Sequence, residues 1–202
     1  PLDSIRESDG MTLRVALGEK PHFGDSRSKQ LVLSSPILRM LDIIKIKSQT
    51  DIPVKQFEIL YNTNFDNQDS NTCEIINSIE QVAKDVADFA REFGGIAILT
   101  DRHISSYEAA IPSTLVISAI NQNLISEGLR LKISLILESG QIASSHQCAC
   151  ALGFGASAIY PLAVRLRPEQ LFSEEESVEA YNRFKKASEK ALLKTMGKVG
   201  LC

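Results

Sequence analysis

The feature that most constrains the fold is an alternation of strand-like and helix-like segments from residue 56 onward. Four short apolar segments predict β-strands, and each is followed by a segment with helical spacing or a helix-start signal. Strands that alternate with helices favour a parallel sheet with right-handed crossovers. We therefore expect an α/β fold of repeated βα units, whose four-stranded parallel core is half-barrel-like or a small open sheet. The predicted strands are residues 56–61, 96–99, 131–137 and 156–160.

Helix boundaries are indicated by capping residues and by glycine. Asn71 and Glu74 fit a capping box, and apolar residues then recur at 3.6-residue spacing over residues 75–93. Gly94 is expected to end this first helix. The later helices are predicted to begin at Pro112, at Ser144 or Ser145, and at Ser173.

The first 55 residues are less regular. Residues 11–17 alternate like a short strand, residues 18–29 are rich in turn formers, and residues 37–44 have a helical pattern. We expect residues 1–55 to form an N-terminal arm and linker that packs on the core, residues 56–172 to form the α/β domain, and residues 173–202 to form a C-terminal helix.

Composition excludes several classes of function. The net charge is −3 and no basic cluster occurs, so neither nucleic acid nor a membrane surface is an expected partner. No apolar run approaches the roughly 18–20 residues of a membrane helix. The start of the sequence lacks a signal-peptide pattern, and the four cysteines form no paired motif, so we expect reduced thiols and a cytoplasmic location. Because Pro1 is not an ordinary start, we expect a piece or a processed form of a longer polypeptide.

The candidate site lies where strands end, since functional residues of parallel sheets collect at the carboxyl ends of strands. Asp101 and Arg102 follow the second predicted strand, and Glu138 and Ser139 follow the third. These side chains could anchor a substrate or a neighbouring domain, and Glu138 could serve as a general base. We favour a structural role, in which an ion pair or capping network fixes the strand-end loops.

Two other patterns are weaker. His146 and Cys150 share a helical face, whereas Cys148 points away from it, so we expect buried cysteines and no metal site. The Gly-Phe-Gly-Ala sequence at residues 153–156 precedes a strand, whereas a phosphate loop follows one. We therefore interpret it as a helix stop with close packing.

Five motifs follow one another between residues 100 and 161: Thr100-Asp101-Arg102, Ile111-Pro112-Ser113, LISEGLR at 124–130, Glu138-Ser139-Gly140 and GFGASAIYP at 153–161. In order and with near-identical spacing, they resemble the central domain of the large, glutamine-dependent chain of glutamate synthase. The resemblance extends to residues 1–7 and 190–200, so that it covers nearly the whole chain. It departs where the family has histidines, since Asn121-Gln122-Asn123 and His146-Gln147 stand there, and no role of those histidines is carried over.

The resemblance implies a part in making two glutamates from glutamine and 2-oxoglutarate, within glutamate biosynthesis and nitrogen assimilation. It implies that this domain is non-catalytic, connects the amidotransferase and FMN-binding synthase domains of one parent chain, and helps to form an ammonia tunnel. The helix at residues 173–202 would lead toward the flavin-binding domain. No cofactor is expected in this chain, while FMN and an iron–sulfur cluster are expected elsewhere in the parent enzyme. Asp101, Arg102, Glu138 and Ser139 would then be structural or tunnel-side residues.

Two alternatives from other classes stay open. The chain could be a free-standing binding or regulatory module that has this fold and no catalysis. It could also be a small independent enzyme that uses Asp101, Arg102 and Glu138. Self-association into a homo-oligomer is left open in each case.

Overall fold

The computed structural model of the chain describes residues 10–21, 29–63 and 68–200, with residues 68–70 described by their backbone alone. A short 3₁₀ helix spans Arg130–Lys132. The strands are β1 (Val15–Leu17), β2 (Leu31–Leu33), β3 (Val54–Glu58), β4 (Leu60–Asn62), β5 (Gly95–Thr100), β6 (Glu108–Ala110), β7 (Ile133–Ser139) and β8 (Ala158–Pro161). The α-helices of the described residues are α1 (Met40–Ser48), α2 (Gln68–Glu92), α3 (Ser113–Ser126), α4 (Ser145–Gly153), α5 (Leu162–Glu169) and α6 (Glu174–Val199).

The core is a four-stranded parallel sheet in the order β3-β5-β7-β8, which confirms the predicted α/β fold. The two inner strands, β5 and β7, are buried along their whole length. Their mainly apolar sequences fit this position, because strands covered on both faces do not alternate regularly with polar residues. The sheet thus provides a rigid edge at which β5, β7 and β8 end side by side.

Helices cover both faces of the sheet. Alternate residues of a strand point to opposite faces, so Leu99 and Leu137 contact the cluster formed with α2, α3 and α4, whereas Ile98 and Ile136 contact the cluster formed with β1, β2, α1 and α5. The long helix α6 joins the two clusters, since its residues occur in both. This arrangement buries both faces of the sheet.

The predicted helix at residues 37–44 is wrong in its first turn. Ile37 instead forms an isolated parallel bridge with Ile159, with hydrogen bonds of 2.8 Å from Leu38 N to Ile159 O and from Ile159 N to Pro36 O. The helix begins later, at Met40. Residues 36–38 therefore extend the edge of the sheet beside β8, where backbone groups of the strand would otherwise lack partners.

The predicted strand at residues 56–61 is two strands. β3 belongs to the parallel sheet, while β4 pairs antiparallel with β6, a strand that the sequence pattern did not predict. The buried Ile59 lies between them: its N–H donates to Thr100 O at 2.9 Å, and its carbonyl accepts from Ile111 N at 3.0 Å. The chain therefore changes sheets at this residue.

Some predicted boundaries are confirmed and others are not. Ser144, one of the two residues predicted for this role, caps α4, and α6 begins after Ser173, as predicted. The reciprocal bonds between Ser173 and Glu176 were not predicted. The capping box at Asn71 is wrong as a helix start, because α2 already includes Gln68. The short elements β2 and α5 were not predicted. Residues 1–7 and most of the predicted loop at 18–29 lie outside the described residues.

Candidate functional site

The carboxyl edge of the sheet brings the four predicted site residues together. Thr100 and Glu138 are partners in the register of β5 and β7, so Asp101 and Arg102 leave β5 beside the point where Glu138 and Ser139 end β7. Asp101, Glu138 and Ser139 are buried. The arrangement divides into two hydrogen-bonded groups, one around Asp101 and one around Glu138.

Asp101 fixes the loop that follows β7. Its carboxylate is 2% exposed and accepts hydrogen bonds from Ser139 Oγ at 2.6 Å and Gly140 N at 2.8 Å. Gln141 Nε2 lies at 3.4 Å from the same carboxylate, and Gln141 N donates to Ser139 Oγ at 3.0 Å. Hydrogen bonds to an ionised acceptor are stronger than neutral ones, so this group holds the ends of two strands in one arrangement.

Gln141 also belongs to the hydrogen-bonded group around Asp101, and the sequence pattern did not predict it. Its Oε1 accepts from the backbone N–H of Ser113 at 3.0 Å, and its Nε2 donates to Ile111 O at 2.8 Å. Ser113 begins α3, and the preceding Pro112 has no polar side chain with which to cap that helix. Gln141 therefore supplies the cap from a different loop. A single glutamine far away in sequence carries no local signal for this role.

Arg102 and Glu138 form an ion pair with one buried partner. Arg102 donates to Glu138 Oε1 from Nε at 3.2 Å and from Nη2 at 2.5 Å. The glutamate side chain has no exposed surface, whereas the arginine side chain is 40% exposed. Glu138 Oε2 is buried and makes no hydrogen bond with any part of the chain that the structure describes. Because a buried carboxylate without a cation is costly, Glu138 depends on Arg102.

Tyr160 completes this polar group on β8, opposite Glu138 in the register. Burial raises the pKa of Tyr160, the positive charges of Arg102 and Arg165 act against that rise, and the negative charge of Glu138 adds to it. Arg165 Nη1 lies 2.5 Å from Glu169 Oε1 on the same helix. Tyr160 is therefore influenced by the charges of two arginines and two glutamates.

The two acids of the carboxyl edge form hydrogen bonds within the chain. A general base must lie within hydrogen-bond reach of the proton that it removes. The Asp101 carboxylate is instead bonded to the loop after β7, and Glu138 Oε1 is bonded to Arg102. The carboxyl edge consequently binds its own loops together: the segment after β5, the segment after β7, and the start of α3.

The cysteine and histidine pattern on α4 has the predicted helical geometry. Cys150 Sγ lies 3.5 Å from His146 Nε2, whereas Cys148 is buried, and burial raises the pKa of its thiol to about 11. Among residues 10–21, 29–63 and 68–200, no group of three or more His, Cys, Asp or Glu side chains could hold a metal ion.

The glycine-rich turn after α4 serves close packing, as predicted. Gly155 has a φ of +124°, and a Cβ at this position would lie 2.5 Å from the side chain of Asn121. Arg130 joins the two by donating to Asn121 Oδ1 at 2.6 Å and to Gly155 O at 2.8 Å. Within residues 10–21, 29–63 and 68–200, none of the helices combines the length and the apolar character of a membrane-spanning segment.

The whole chain is similar to part of a family of known proteins. The family described as "Glutamate synthase central domain" matches residues 1–202. A "Ferredoxin-dependent glutamate synthase" of Cyanidium caldarium is 34% identical over 218 residues, which cover 100% of this chain and 14% of that protein. The NADPH glutamate synthase large chain of Bacillus subtilis is 28% identical over 214 residues, covering 100% of this chain and 13% of its own length.

The chain thus spans 13–14% of the length of these curated relatives. Among solved structures, a mutant flavocytochrome b2 superposes with a TM-score of 0.48 at 16% identity, over 79% of this chain and 36% of that one. That similarity is too low to support a statement about function.

Proposed function

Because this chain belongs to the glutamate synthase central domain family, we propose that it is the connecting domain of a larger glutamate synthase. The parent enzyme would convert glutamine and 2-oxoglutarate to two glutamates. Within it, this domain would lie between an amidotransferase domain and an FMN-binding synthase domain, with the helix from residue 173 leading toward the latter. By itself the domain would have no catalytic activity.

The observation that carries this proposal is the match of the family to all 202 residues, combined with relatives about seven times as long as the chain. The bonding at the carboxyl edge supports it. Asp101 and Glu138, the acids placed where an α/β enzyme would hold its catalytic groups, are hydrogen-bonded to neighbouring loops and to Arg102. Such an edge suits a domain whose task is to hold other parts in position.

We further propose that FMN and an iron–sulfur cluster bind other domains of the parent polypeptide. The polar residues Asp101, Arg102, Glu138 and Ser139 would support the wall of the ammonia tunnel. A cytoplasmic location is also proposed. Two relatives, from rice and from spinach, are named as chloroplastic, so fractionation of the source cells is the test of location.

The mass of the native polypeptide tests the connecting role. An antibody raised against the 202-residue chain is used on an extract of the source cells. We expect a band several times larger than the 22.2 kDa of the chain. A native band near 22 kDa would refute the connecting role, because a free-standing protein has no catalytic domains to join.

The tunnel role has its own test in the purified parent enzyme. Arg102→Met is compared with the wild type for glutamate formation from glutamine and from added ammonia. If Arg102 supports the tunnel wall, we expect the glutamine-dependent rate to fall more than the ammonia-dependent rate. Equal losses in the two assays would contradict a role in ammonia transfer.

A further inference from the structure

We propose that the groove between α1 and α6 is the docking site for an apolar segment of a flanking domain of the same polypeptide. This inference rests on the proposed connecting role and specifies the surface through which that role is carried out. The groove has a volume of about 330 Å³. Its lining includes Met40, Leu41 and Ile44 from α1 together with Val178 and Tyr181 from α6.

The outer side of α1 carries large apolar side chains that nothing in the described chain covers. Ile43 and Ile46 are buried against the sheet, as expected for the inner side of a surface helix. On the other side, Met40 is 48%, Leu41 is 63% and Ile44 is 48% exposed. Three large apolar side chains that lie close together on the solvent side of one helix indicate a contact surface.

The opposite wall of the groove continues the apolar surface. Val178 of α6 is 45% exposed, and Tyr181 beside it is buried, with its hydroxyl donating to Leu38 O. Exposed apolar patches of this kind mark interaction surfaces, whereas scattered single residues do not.

The charges at the rim indicate the chemistry of the occupant. Arg39, Arg165 and Glu174 are the charged residues of the lining. Both arginines are already paired, Arg39 with Asp42 and Arg165 with Glu169. Since neither sign dominates, the site favours an uncharged apolar segment over an acidic peptide or a nucleic acid. About six-sevenths of the length of the relatives lies outside the region matched by this chain, and a flanking domain is therefore the occupant to which we commit.

Site-specific photo-crosslinking in the full-length parent polypeptide tests this assignment. Leu41 is replaced by the photoreactive amino acid benzoylphenylalanine, and the products are mapped by mass spectrometry. We expect an intrachain crosslink from position 41 to an apolar segment outside the 202 residues. An interchain product of doubled mass, which would mean a second copy in the groove, overturns the proposal, as does the absence of any crosslinked peptide.

Thiol labelling gives an independent measurement with a matched control. Leu41→Cys and Leu115→Cys are labelled with a maleimide in the folded full-length polypeptide and in urea, with the signal of the native cysteines subtracted. Leu115 lies on α3 and is 51% exposed, close to the exposure of Leu41. The cysteine at position 41 is expected to react at least ~10-fold more slowly in the folded polypeptide than in urea. A labelling rate in the folded polypeptide within about twofold of the rate in urea overturns the proposal. The rate at position 115 shows how an exposed helical position of the same polypeptide reacts.

Failure of the docking site is distinguishable from failure of the connecting role. A large native polypeptide with a freely reactive position 41 would leave the connecting role intact and remove the groove as the contact. A native polypeptide near 22 kDa would remove both, because no flanking domain would exist.

Discussion

Replacing Arg102 with methionine tests whether the ion pair at the strand ends stabilises the fold. Glu138 has no exposed surface and accepts two hydrogen bonds from Arg102, at 3.2 and 2.5 Å. Removing one partner of a fully buried pair costs roughly 3–5 kcal/mol, because a charge is left buried without compensation. Arg102 is itself 40% exposed, so water can approach in the variant. We therefore expect a loss of about 2–3 kcal/mol in the free energy of unfolding, which lowers Tm by roughly 5–10 °C in a domain of this size.

The chain contains a matched control. Arg183 donates to Glu179 Oε1 from Nε at 3.2 Å and from Nη2 at 2.6 Å, nearly the geometry of the Arg102 pair. Here the two side chains are 78% and 63% exposed, on the surface of α6. An exposed i,i+4 pair contributes about 0.3–0.5 kcal/mol, so Arg183→Met should have almost no effect. The difference between the two variants isolates the effect of burying the carboxylate.

Urea unfolding of the 202-residue chain, followed by circular dichroism, measures the free energy of unfolding of Arg102→Met, of Arg183→Met and of a double variant. In the double variant Arg102→Met with Glu138→Met, the unpaired carboxylate is gone, and we expect most of the lost free energy to return. If Arg102→Met loses no more free energy of unfolding than Arg183→Met, burial of Glu138 does not make its ion pair more important than an exposed one. The same follows if the double variant is as unstable as the single one.

Three further predictions follow from particular contacts. Gly95→Ala should destabilise the chain by several kcal/mol, on the order of the largest single-residue effects, because at a φ of +100° the new Cβ would lie 2.3 Å from a backbone carbonyl oxygen. Gly153→Ala is the control, since a Cβ there has nothing within 4 Å, and equal urea midpoints for the two variants would contradict the prediction. Cys148 should resist a maleimide at pH 8 while the exposed Cys73 reacts, because the raised pKa of about 11 keeps the buried Cys148 thiol protonated. Comparable labelling of the two cysteines in peptide maps would contradict the protection of Cys148. Ser173→Ala should cost ~1 kcal/mol in urea unfolding by removing the cap of α6, whereas an unchanged midpoint would show that the cap contributes nothing.

Local patterns in the sequence determined much of the scaffold. β5 and β7 were predictable because strands buried on both faces are mainly apolar, and these two are buried throughout. The starts of α4 and α6 were predictable because Ser144 and Ser173 bond to backbone groups three residues away. The position of Asp101, Arg102, Glu138 and Ser139 at one edge also followed, since parallel strands end at the same side of a sheet.

Tertiary contacts decided the rest, because their partners are distant in sequence. The apolar run that includes Ile37 is compatible with a helix or a strand, and it became extended only because Ile159 offered a free sheet edge. Gln141 caps α3 from 28 residues away, and Arg102 reaches Glu138 across 36. A sequence pattern reports which side chains share a face within one element. It cannot report which element lies opposite, and hydrogen bonds between loops are set by that packing.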